Sequence, residues 1–216
     1  MNPKNPINLS FNSVERFINF ISNAGIETNV EELSLLHSSI TEDVISQVNV
    51  QFPPNDYPKI LDVGCGSGVA LKRFKERGYT PVGITINAAE YEICKNQGYD
   101  VFLMDQSFLD FNDENFNIIW ARHVIEHSLM PYYTLIEFKR VLKSDGILYI
   151  EVPAPDTIFN HQNNPFHFST LTKSSWKSLI QRAGFVIINI LEIPITSFEV
   201  EGEDYYWTFL CAKAKL

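Results

Sequence analysis

The sequence predicts an α/β fold with three layers, in which helices cover both faces of a mostly parallel sheet of seven strands. One observation is that helical segments close on a glycine and an apolar run then begins, as happens at Gly78, Gly98, Gly146 and Gly184. A second is that the last apolar run, 205–212, follows the sixth run without an intervening helix. Because a parallel connection needs a long crossover, we expect this last strand to run antiparallel to the sixth.

The apolar runs give the bounds of the predicted elements. Strands are expected at 60–63, 81–86, 101–104, 116–121, 147–152, 185–191 and 205–212. Helices are expected at 69–77, in the segment that ends at 97, at 132–142 and at 171–183. This alternation of strands and helices is typical of a parallel α/β sheet.

Residues 1–58 are predicted to form a helical extension, and residues 59–216 form the α/β domain. Two helices are expected in the extension, at 11–24 and 30–49, with Gly25 ending the first. One face of the first helix is apolar and consists of Phe11, Val14, Phe17, Ile18 and Ile21. We expect the two helices to cover the substrate side of the domain as a lid.

The charge of the chain argues against a nucleic acid as the substrate. The 216 residues carry a formal net charge of −9, and 45% of them are hydrophobic, as in a globular protein. An acidic protein has little electrostatic attraction for a phosphate backbone. The sequence gives no indication of an oligomeric state.

Export and membrane insertion are not indicated by the sequence. Its start lacks a basic region followed by an apolar stretch, so no signal peptide is expected. No run approaches the ~18 apolar residues of a membrane-spanning helix. The three cysteines, Cys65, Cys94 and Cys211, lack metal-binding spacing and are expected to be reduced thiols. These features predict a cytoplasmic protein.

The most informative segment is the turn after the first strand, where Asp62 precedes glycines at alternate positions, Gly64, Gly66 and Gly68. Glycines let a backbone turn sharply and approach a ligand closely, because no Cβ stands in the way. A dinucleotide fingerprint would require Gly or Ala at the sixth position from Gly64, which is Val69 here. Asp62 would also repel a pyrophosphate, whereas a cationic ligand resembling an amino acid suits a carboxylate.

This Asp-x-Gly-x-Gly-x-Gly pattern resembles motif I of the class I S-adenosylmethionine-dependent methyltransferases, and the chain is identified as a member of that superfamily. The resemblance covers about residues 58–216 and implies a Rossmann-like sheet with the strand order 3-2-1-4-5-7-6. It also implies S-adenosylmethionine as the cofactor and S-adenosylhomocysteine as the product.

The resemblance places the cofactor at the carboxyl ends of the first four strands. It implies that Asp62 holds the ammonium side of the methionyl group, directly or through water. It also implies that the main chain of the turn approaches that group at Gly64, Cys65, Gly66 and Gly68.

Thr85 stands at the end of the second strand. Most members of the class have an acidic residue there, which accepts hydrogen bonds from both ribose hydroxyls. The segment looks like the cyclopropane and mycolic acid methyltransferases, in which a threonine and a nearby glutamine bind the ribose. The resemblance therefore implies that Thr85 and Glu90 do so here, although Glu90 also suits the first turn of a helix. It further implies that Asp105 accepts from the adenine amine, that Gln106 packs on the ring, and that Arg122 belongs to the cofactor site.

The segment after the fourth strand contains His123, Glu126 and His127, the spacing of an inverted zinc-protease motif. A zinc hydrolase is therefore an alternative from another class. Against it, His123 falls at a predicted strand end, and Pro131 limits any helix that follows. The same residues resemble the His-Val-Ile/Leu-Glu-His segment of small-molecule methyltransferases, so we assign no metal. His127 and His123 are predicted as candidate general bases, because imidazole titrates near neutral pH.

A long polar loop follows the fifth strand, over 153–170, and long loops at the ligand end of a sheet are usually functional. Its aromatic and amide residues suit a polyhydroxylated acceptor, and we expect His161, Phe166 and His167 to contact it. The run that begins at His167 resembles a methyltransferase subgroup associated with sugar, polyketide and cell-surface biosynthesis. An ordered structural loop is the alternative.

We therefore expect methyl transfer to a small-molecule acceptor, at oxygen rather than nitrogen, with a sugar or similar polar metabolite as the substrate. A second hypothesis is an accessory protein that binds S-adenosylmethionine or S-adenosylhomocysteine without catalysis, because Thr85 replaces the usual acid.

Overall fold

The structure, a computed structural model, describes residues 10–23, 35–195 and 203–214. Its sheet has seven strands in the order β3-β2-β1-β4-β5-β7-β6. The strands are β1 (Lys59–Val63), β2 (Thr80–Thr85), β3 (Asp100–Leu103), β4 (Phe116–Arg122), β5 (Leu142–Pro153), β6 (Phe185–Ile195) and β7 (Asp204–Lys213). Neighbouring strands are parallel except for β7, which runs antiparallel to both β5 and β6. The predicted fold class and strand order are confirmed.

Six α-helices and two short 3₁₀ segments accompany the sheet in the described residues. The helices are α1 (Phe11–Asn23), α2 (Leu35–Gln51), α3 (Val69–Glu76), α4 (Ala88–Asn96), α5 (Pro131–Val141) and α6 (Lys173–Arg182). The 3₁₀ segments are Ile125–His127 and His161–Asn163. Parts of the two predicted N-terminal helices, 24 and 30–34, lie outside the described residues, as does Gly25. None of the described helices combines the length and the apolar character needed to cross a bilayer.

Gly146 does not end a helix, contrary to the sequence prediction. α5 is followed at once by β5, which begins at Leu142 and contains Gly146. The other three glycines that were expected to end helices have positive φ, whereas Gly146 does not. A Cβ at Gly146 would lie 2.6 Å from Cγ of Leu142 and 3.0 Å from the carbonyl oxygen of Asn117. Close packing inside a strand, and not a helix end, therefore requires glycine at this position.

Helices cover the sheet on both faces, as expected for parallel strands that are buried on both sides. On one face, Phe138 of α5 and Trp176 of α6 are fully buried in the larger apolar cluster. On the other face, Ile45 of α2 and Phe74 of α3 share a second cluster with Trp120 of β4. These two clusters pack helices against both faces of the sheet, which gives the fold its three layers.

The two N-terminal helices differ in their contacts with the rest of the chain. Glu42 of α2 forms ion pairs with Arg73 of α3 and with Arg77, the next residue after that helix. The apolar face of α1 is largely exposed, with Phe11 79% and Ile18 55% accessible to solvent. That the two helices act as a lid remains a prediction.

The sheet brings the carboxyl ends of four parallel strands to one edge, and a polar residue stands at or near each end. Asp62 lies in β1 and Thr85 ends β2, whereas Asp105 follows β3 and Arg122 ends β4. Because β1 lies between β2 and β4, these residues surround the turn that leaves β1.

Replacing Phe138 by alanine should lower the free energy of unfolding by about 3–5 kcal/mol, because the ring is fully buried and its removal leaves a cavity. Phe11→Ala is the matched control and should change the free energy by no more than about 0.5 kcal/mol, since that ring is exposed. Urea denaturation followed by circular dichroism measures both. If the two substitutions lowered the free energy of unfolding equally, Phe138 would not lie in the core as described.

Candidate cofactor and acceptor site

A cavity of about 780 Å³ opens at this edge of the sheet. Open parallel sheets bind ligands beyond the carboxyl ends of their strands, and the volume is that of a small-molecule site. The cavity is lined by all but one of the predicted site residues: Asp62, Gly64, Cys65, Gly66, Thr85, Glu90, Asp105, Gln106, Arg122, His123, His127, His161, Phe166 and His167. The exception is Gly68.

The turn after β1 depends on glycine at its alternate positions. Gly64, Gly66 and Gly68 have φ values of 68°, 52° and 89°, a region that side chains with a Cβ rarely adopt. A Cβ at Gly64 would also lie 2.7 Å from Cγ2 of Val124. Gly68 precedes α3, and a Cβ there would lie 3.1 Å from Sγ of Cys94, so this glycine shapes the packing behind the turn.

Asp62 is buried beside the turn with one oxygen unsatisfied. The residue is 2% exposed, and its Oδ2 has no hydrogen-bond partner in the described part of the chain. Burial disfavours the carboxylate and raises the pKa of Asp62 well above its usual range. Buried polar atoms are normally paired, so a cationic group in the cavity would supply the missing partner and favour the charged carboxylate.

Thr85 and Glu90 contact each other directly. The Thr85 hydroxyl donates a hydrogen bond to Oε2 of Glu90 over 2.8 Å and accepts one from the Asn87 N–H over 3.1 Å. Asn87 in turn caps α4, which places Glu90 in the first turn of that helix at the cavity wall. The hydroxyl of Thr85 therefore holds the carboxylate of Glu90 in position.

Asp105 and Gln106 occupy the loop after β3. Oδ1 of Asp105 accepts a hydrogen bond from the Ser107 N–H over 2.7 Å, which fixes the carboxylate at the cavity wall. The Gln106 amide donates to the Val124 carbonyl over 2.7 Å. Its Oε1 is buried and has no partner within the described ranges, so one acceptor is left for a ligand.

A buried carboxylate, Glu151, organises the residues at the end of β4. Oε1 of Glu151 accepts from Nε of Arg122 over 2.7 Å, and its Oε2 accepts from the Tyr149 hydroxyl over 2.7 Å. Arg122 also donates from Nη1 to Thr41 of α2 over 2.6 Å, while its buried Nη2 has no partner among the residues that the structure describes. Glu151 was not identified from the sequence. Glu151 is the single carboxylate in the apolar run 147–152, a feature that could have indicated it. In the structure it lies in register with Arg122 of the neighbouring strand.

His123 belongs to the same ionic group. Its Nε2 lies 2.7 Å from Oε1 of Glu151, and its Nδ1 lies 3.7 Å from Oε1 of Glu126. Burial lowers the pKa of His123, but the two carboxylates outweigh that effect and raise it to about 9. Burial likewise raises the pKa of Glu151, but the pairing with His123 and Arg122 lowers it to about 2. His123 is therefore a cation at neutral pH.

Three other histidines, His127, His161 and His167, form a histidine cluster at the cavity wall. They lie on the 3₁₀ segment after β4 and on the loop after β5. The rings of His127 and His167 have centroids 4.7 Å apart. Nδ1 of His127 lies 3.0 Å from the Phe166 carbonyl oxygen, and Nδ1 of His167 lies 2.8 Å from that of His161. A carbonyl only accepts, so both Nδ1 atoms carry the proton and both lone pairs lie on Nε2.

The surroundings of His167 and of His161 affect how each ring carries its protons. Burial lowers the pKa of His167, which is therefore neutral at neutral pH. Nε2 of His161 lies 3.1 Å from Oδ1 of Asp204, a buried residue at the start of β7. Because a carboxylate accepts, this contact places the proton of His161 on Nε2. Asp204 was not identified from the sequence, since nothing in its local pattern pairs it with a histidine more than forty positions earlier.

Comparisons with known proteins agree with this fold. A family model described as a methyltransferase domain matches residues 36–190. The ubiquinone biosynthesis O-methyltransferase of Haemophilus ducreyi is 27% identical over 43% of this chain and 44% of its own length. The chain spans about half the length of the curated relatives it matches.

Two solved structures share the fold over nearly the whole chain. One is a putative sarcosine dimethylglycine methyltransferase from Galdieria sulphuraria, with a TM-score of 0.69 at 17% identity, covering 93% of this chain and 98% of that one. The other is the [4+2]-cyclase SpnF, with a TM-score of 0.68 at 18% identity, covering 97% and 98%. At these identities the likeness concerns the fold alone.

The sheet order, the glycine turn and the family match define a class I S-adenosylmethionine-dependent methyltransferase domain. The chain belongs to the methyltransferase-domain family, and S-adenosylmethionine is the cofactor of that class.

The ion pair of His123 predicts a specific pH dependence of stability. Its pKa of about 9 in the folded protein exceeds the ordinary value of 6.5, so the pairing stabilises the fold fully below pH 6.5 and loses this effect as the pH rises through 9. We expect the difference in unfolding free energy between the native protein and His123→Asn to shrink over this interval. Asparagine tolerates the positive φ of 52° at this position. Chemical denaturation across the interval measures the difference, and a constant value would contradict the ion pair.

Proposed function

We propose that the protein transfers the methyl group of S-adenosylmethionine to a hydroxyl group of a small polar acceptor, such as a sugar. The observation that carries the proposal is the unsatisfied oxygen of Asp62, buried beside the glycine turn at the cavity wall. Membership of the methyltransferase-domain family supports the donor. The similarity to an enzyme named as an O-methyltransferase supports oxygen as the atom that is methylated.

The cavity wall near β1 and β4 suits the two charges of an amino acid. Asp62 would bind the ammonium group, and Nη2 of Arg122 would bind the carboxylate. Each of these buried atoms lacks a partner within the residues described. Because Gly64 and Gly66 present no Cβ, the main chain of the turn would lie against the methionyl group.

The ends of β2 and β3 suit the nucleoside. Glu90 would accept from the ribose hydroxyls, and Thr85 would hold its carboxylate in position through their hydrogen bond. Asp105 would accept from the adenine amine, and Gln106 would border the ring. When bound, S-adenosylmethionine supplies an electrophilic methyl group on a sulfonium sulfur.

The histidine cluster suits the acceptor. A hydroxyl is a poor nucleophile until its proton is removed, and neutral imidazoles are good proton acceptors near neutral pH. The loop after β5 adds Phe166 to the same wall as His127, His161 and His167. We therefore place the acceptor hydroxyl at this cluster. His123 is protonated at neutral pH and would act as a fixed positive charge, not as a base.

Two other functions compete with this one. Binding without methyl transfer is the first, and the [4+2]-cyclase of similar fold illustrates that a fold does not determine its chemistry. Formation of S-adenosylhomocysteine in the presence of an acceptor distinguishes methyl transfer from binding alone. Zinc hydrolysis by His123, Glu126 and His127 is not favoured, because His123 is held by Glu151.

Asp62→Asn should weaken S-adenosylmethionine binding by about tenfold to a hundredfold, because the ammonium group loses a charged hydrogen-bond partner. Isothermal titration calorimetry with S-adenosylmethionine and S-adenosylhomocysteine measures the change for both ligands. Asp100→Asn is the matched control, since that residue is exposed at the start of β3, and it should leave both affinities unchanged. Unaltered binding by Asp62→Asn would refute the assigned position of the methionyl group.

His127→Gln should lower kcat by about a hundredfold or more while leaving the Kd for S-adenosylmethionine within about twofold, because the residue serves the acceptor and not the donor. The reaction is measured as S-adenosylhomocysteine formed with acceptors drawn from a panel of nucleotide sugars. A full loss of cofactor binding, or an unchanged kcat, would contradict this assignment.

A further inference from the structure

We propose that Glu126, His127 and His167 bind a single divalent metal ion, Zn²⁺ in particular, on the acceptor side of the cavity. The inference rests on the proposed function for its role, since the ion would bind the acceptor hydroxyl. The site itself rests on the geometry of the three side chains. It differs from the sequence motif His123-x-x-Glu126-His127, because the third ligand comes from a distant loop.

The three side chains converge on one point. One ligand atom from each lies within 4.8 Å of the ligand atoms of the other two. Glu126 is only 1% exposed, and its Oε2 has no hydrogen-bond partner in the described part of the chain. Leaving a buried carboxylate oxygen unpaired is costly, and a cation at this point would satisfy it.

Backbone carbonyls fix the tautomer of both imidazoles. Nδ1 of His127 donates to the Phe166 carbonyl over 3.0 Å, and Nδ1 of His167 donates to the His161 carbonyl over 2.8 Å. Histidine ligands usually donate their second ring N–H to a carbonyl or carboxylate in this way, which fixes the tautomer and the ring orientation. The lone pairs of both Nε2 atoms remain available for a metal.

The donor set indicates the ion. Two imidazole nitrogens and one carboxylate oxygen are the ligands of catalytic zinc sites that keep a fourth position open. Ligands about 2.0–2.2 Å from a tetrahedral ion stand roughly 3.3 Å apart, so the side chains need to move by only about 1 Å to close on it. His123 is not part of the set, because its Nε2 contacts Glu151.

An ion at this position would bind the acceptor and acidify it. All three ligands line the cavity, so the open position would receive the acceptor oxygen there. A dication lowers the pKa of a bound hydroxyl, since it stabilises the alkoxide. The O–H bond would break with both electrons staying on oxygen, and the proton would pass to Nδ1 of His161, whose Nε2–H is held by Asp204. The substrate class is therefore an alcohol that coordinates metal.

Metal binding by the full chain tests the inference. After treatment with a chelator, the protein is titrated with Zn²⁺ by calorimetry and with Co²⁺ by visible absorption. We expect one equivalent of either ion to bind, and His167→Gln and Glu126→Gln to weaken binding at least tenfold. His161→Gln is the matched control from the same cluster and should bind the ions as the native protein does. Circular dichroism and S-adenosylmethionine binding show that each variant is folded.

The outcomes separate this inference from the proposed function. Absence of stoichiometric binding, or equal binding by the native protein and the two ligand variants, would overturn the metal site. Methyl transfer that persists undiminished in excess chelator would overturn the role of the ion and leave the proposed function standing. The native protein could bind one equivalent of metal that the ligand variants do not bind, and yet bind no S-adenosylmethionine. That result would uphold the metal site and overturn the proposed function.

Discussion

The arrangement of the cavity wall depends on the buried carboxylate of Glu151. An isolated charge in this position would be strongly destabilising, whereas Glu151 contacts Arg122, His123 and Tyr149. Because Arg122 also reaches Thr41 of α2, one carboxylate joins two strands and an N-terminal helix. The backbone that leaves β4, including the left-handed His123, is held by the same contacts. This one anion therefore holds the start of the segment that leads from β4 to His127.

The polar groups around the cavity fall into satisfied and unsatisfied sets. Glu151 uses both of its oxygens on partners within the protein, so it has a structural role. Asp62, Glu126 and the Nη2 atom of Arg122 are equally buried, yet each leaves an atom unpaired within the described residues. Such atoms lower the stability of the free protein unless a ligand, an ion or water completes them. The unpaired atoms lie at the cavity, where ligand groups of both charges would be accommodated.

The features that could be predicted from the sequence are those that neighbouring residues encode. The glycine turn and the polar strand ends are contiguous patterns, and the sheet brings their residues to one cavity. Gly146 was misassigned because the local pattern of a helix followed by glycine carries no information about packing against Leu142 inside β5. Glu151 and Asp204 were missed because their partners lie on other strands and loops. Likewise His167 appears beside Glu126 only in three dimensions. Pairings over long sequence distances are fixed by register and loop path, which no short motif records.

The residues proposed for the two ligands are carried by different kinds of structure. Those proposed for the cofactor lie at or beside the ends of parallel strands, where neighbouring strands restrict any change. Those proposed for the acceptor lie on the short segment after β4 and on the loop of 153–170. Loops accept substitutions and insertions far more readily than strand ends in a buried sheet. A descendant of this chain could therefore exchange its acceptor by remodelling loops while inheriting its donor chemistry intact, which makes the architecture a source of new specificities.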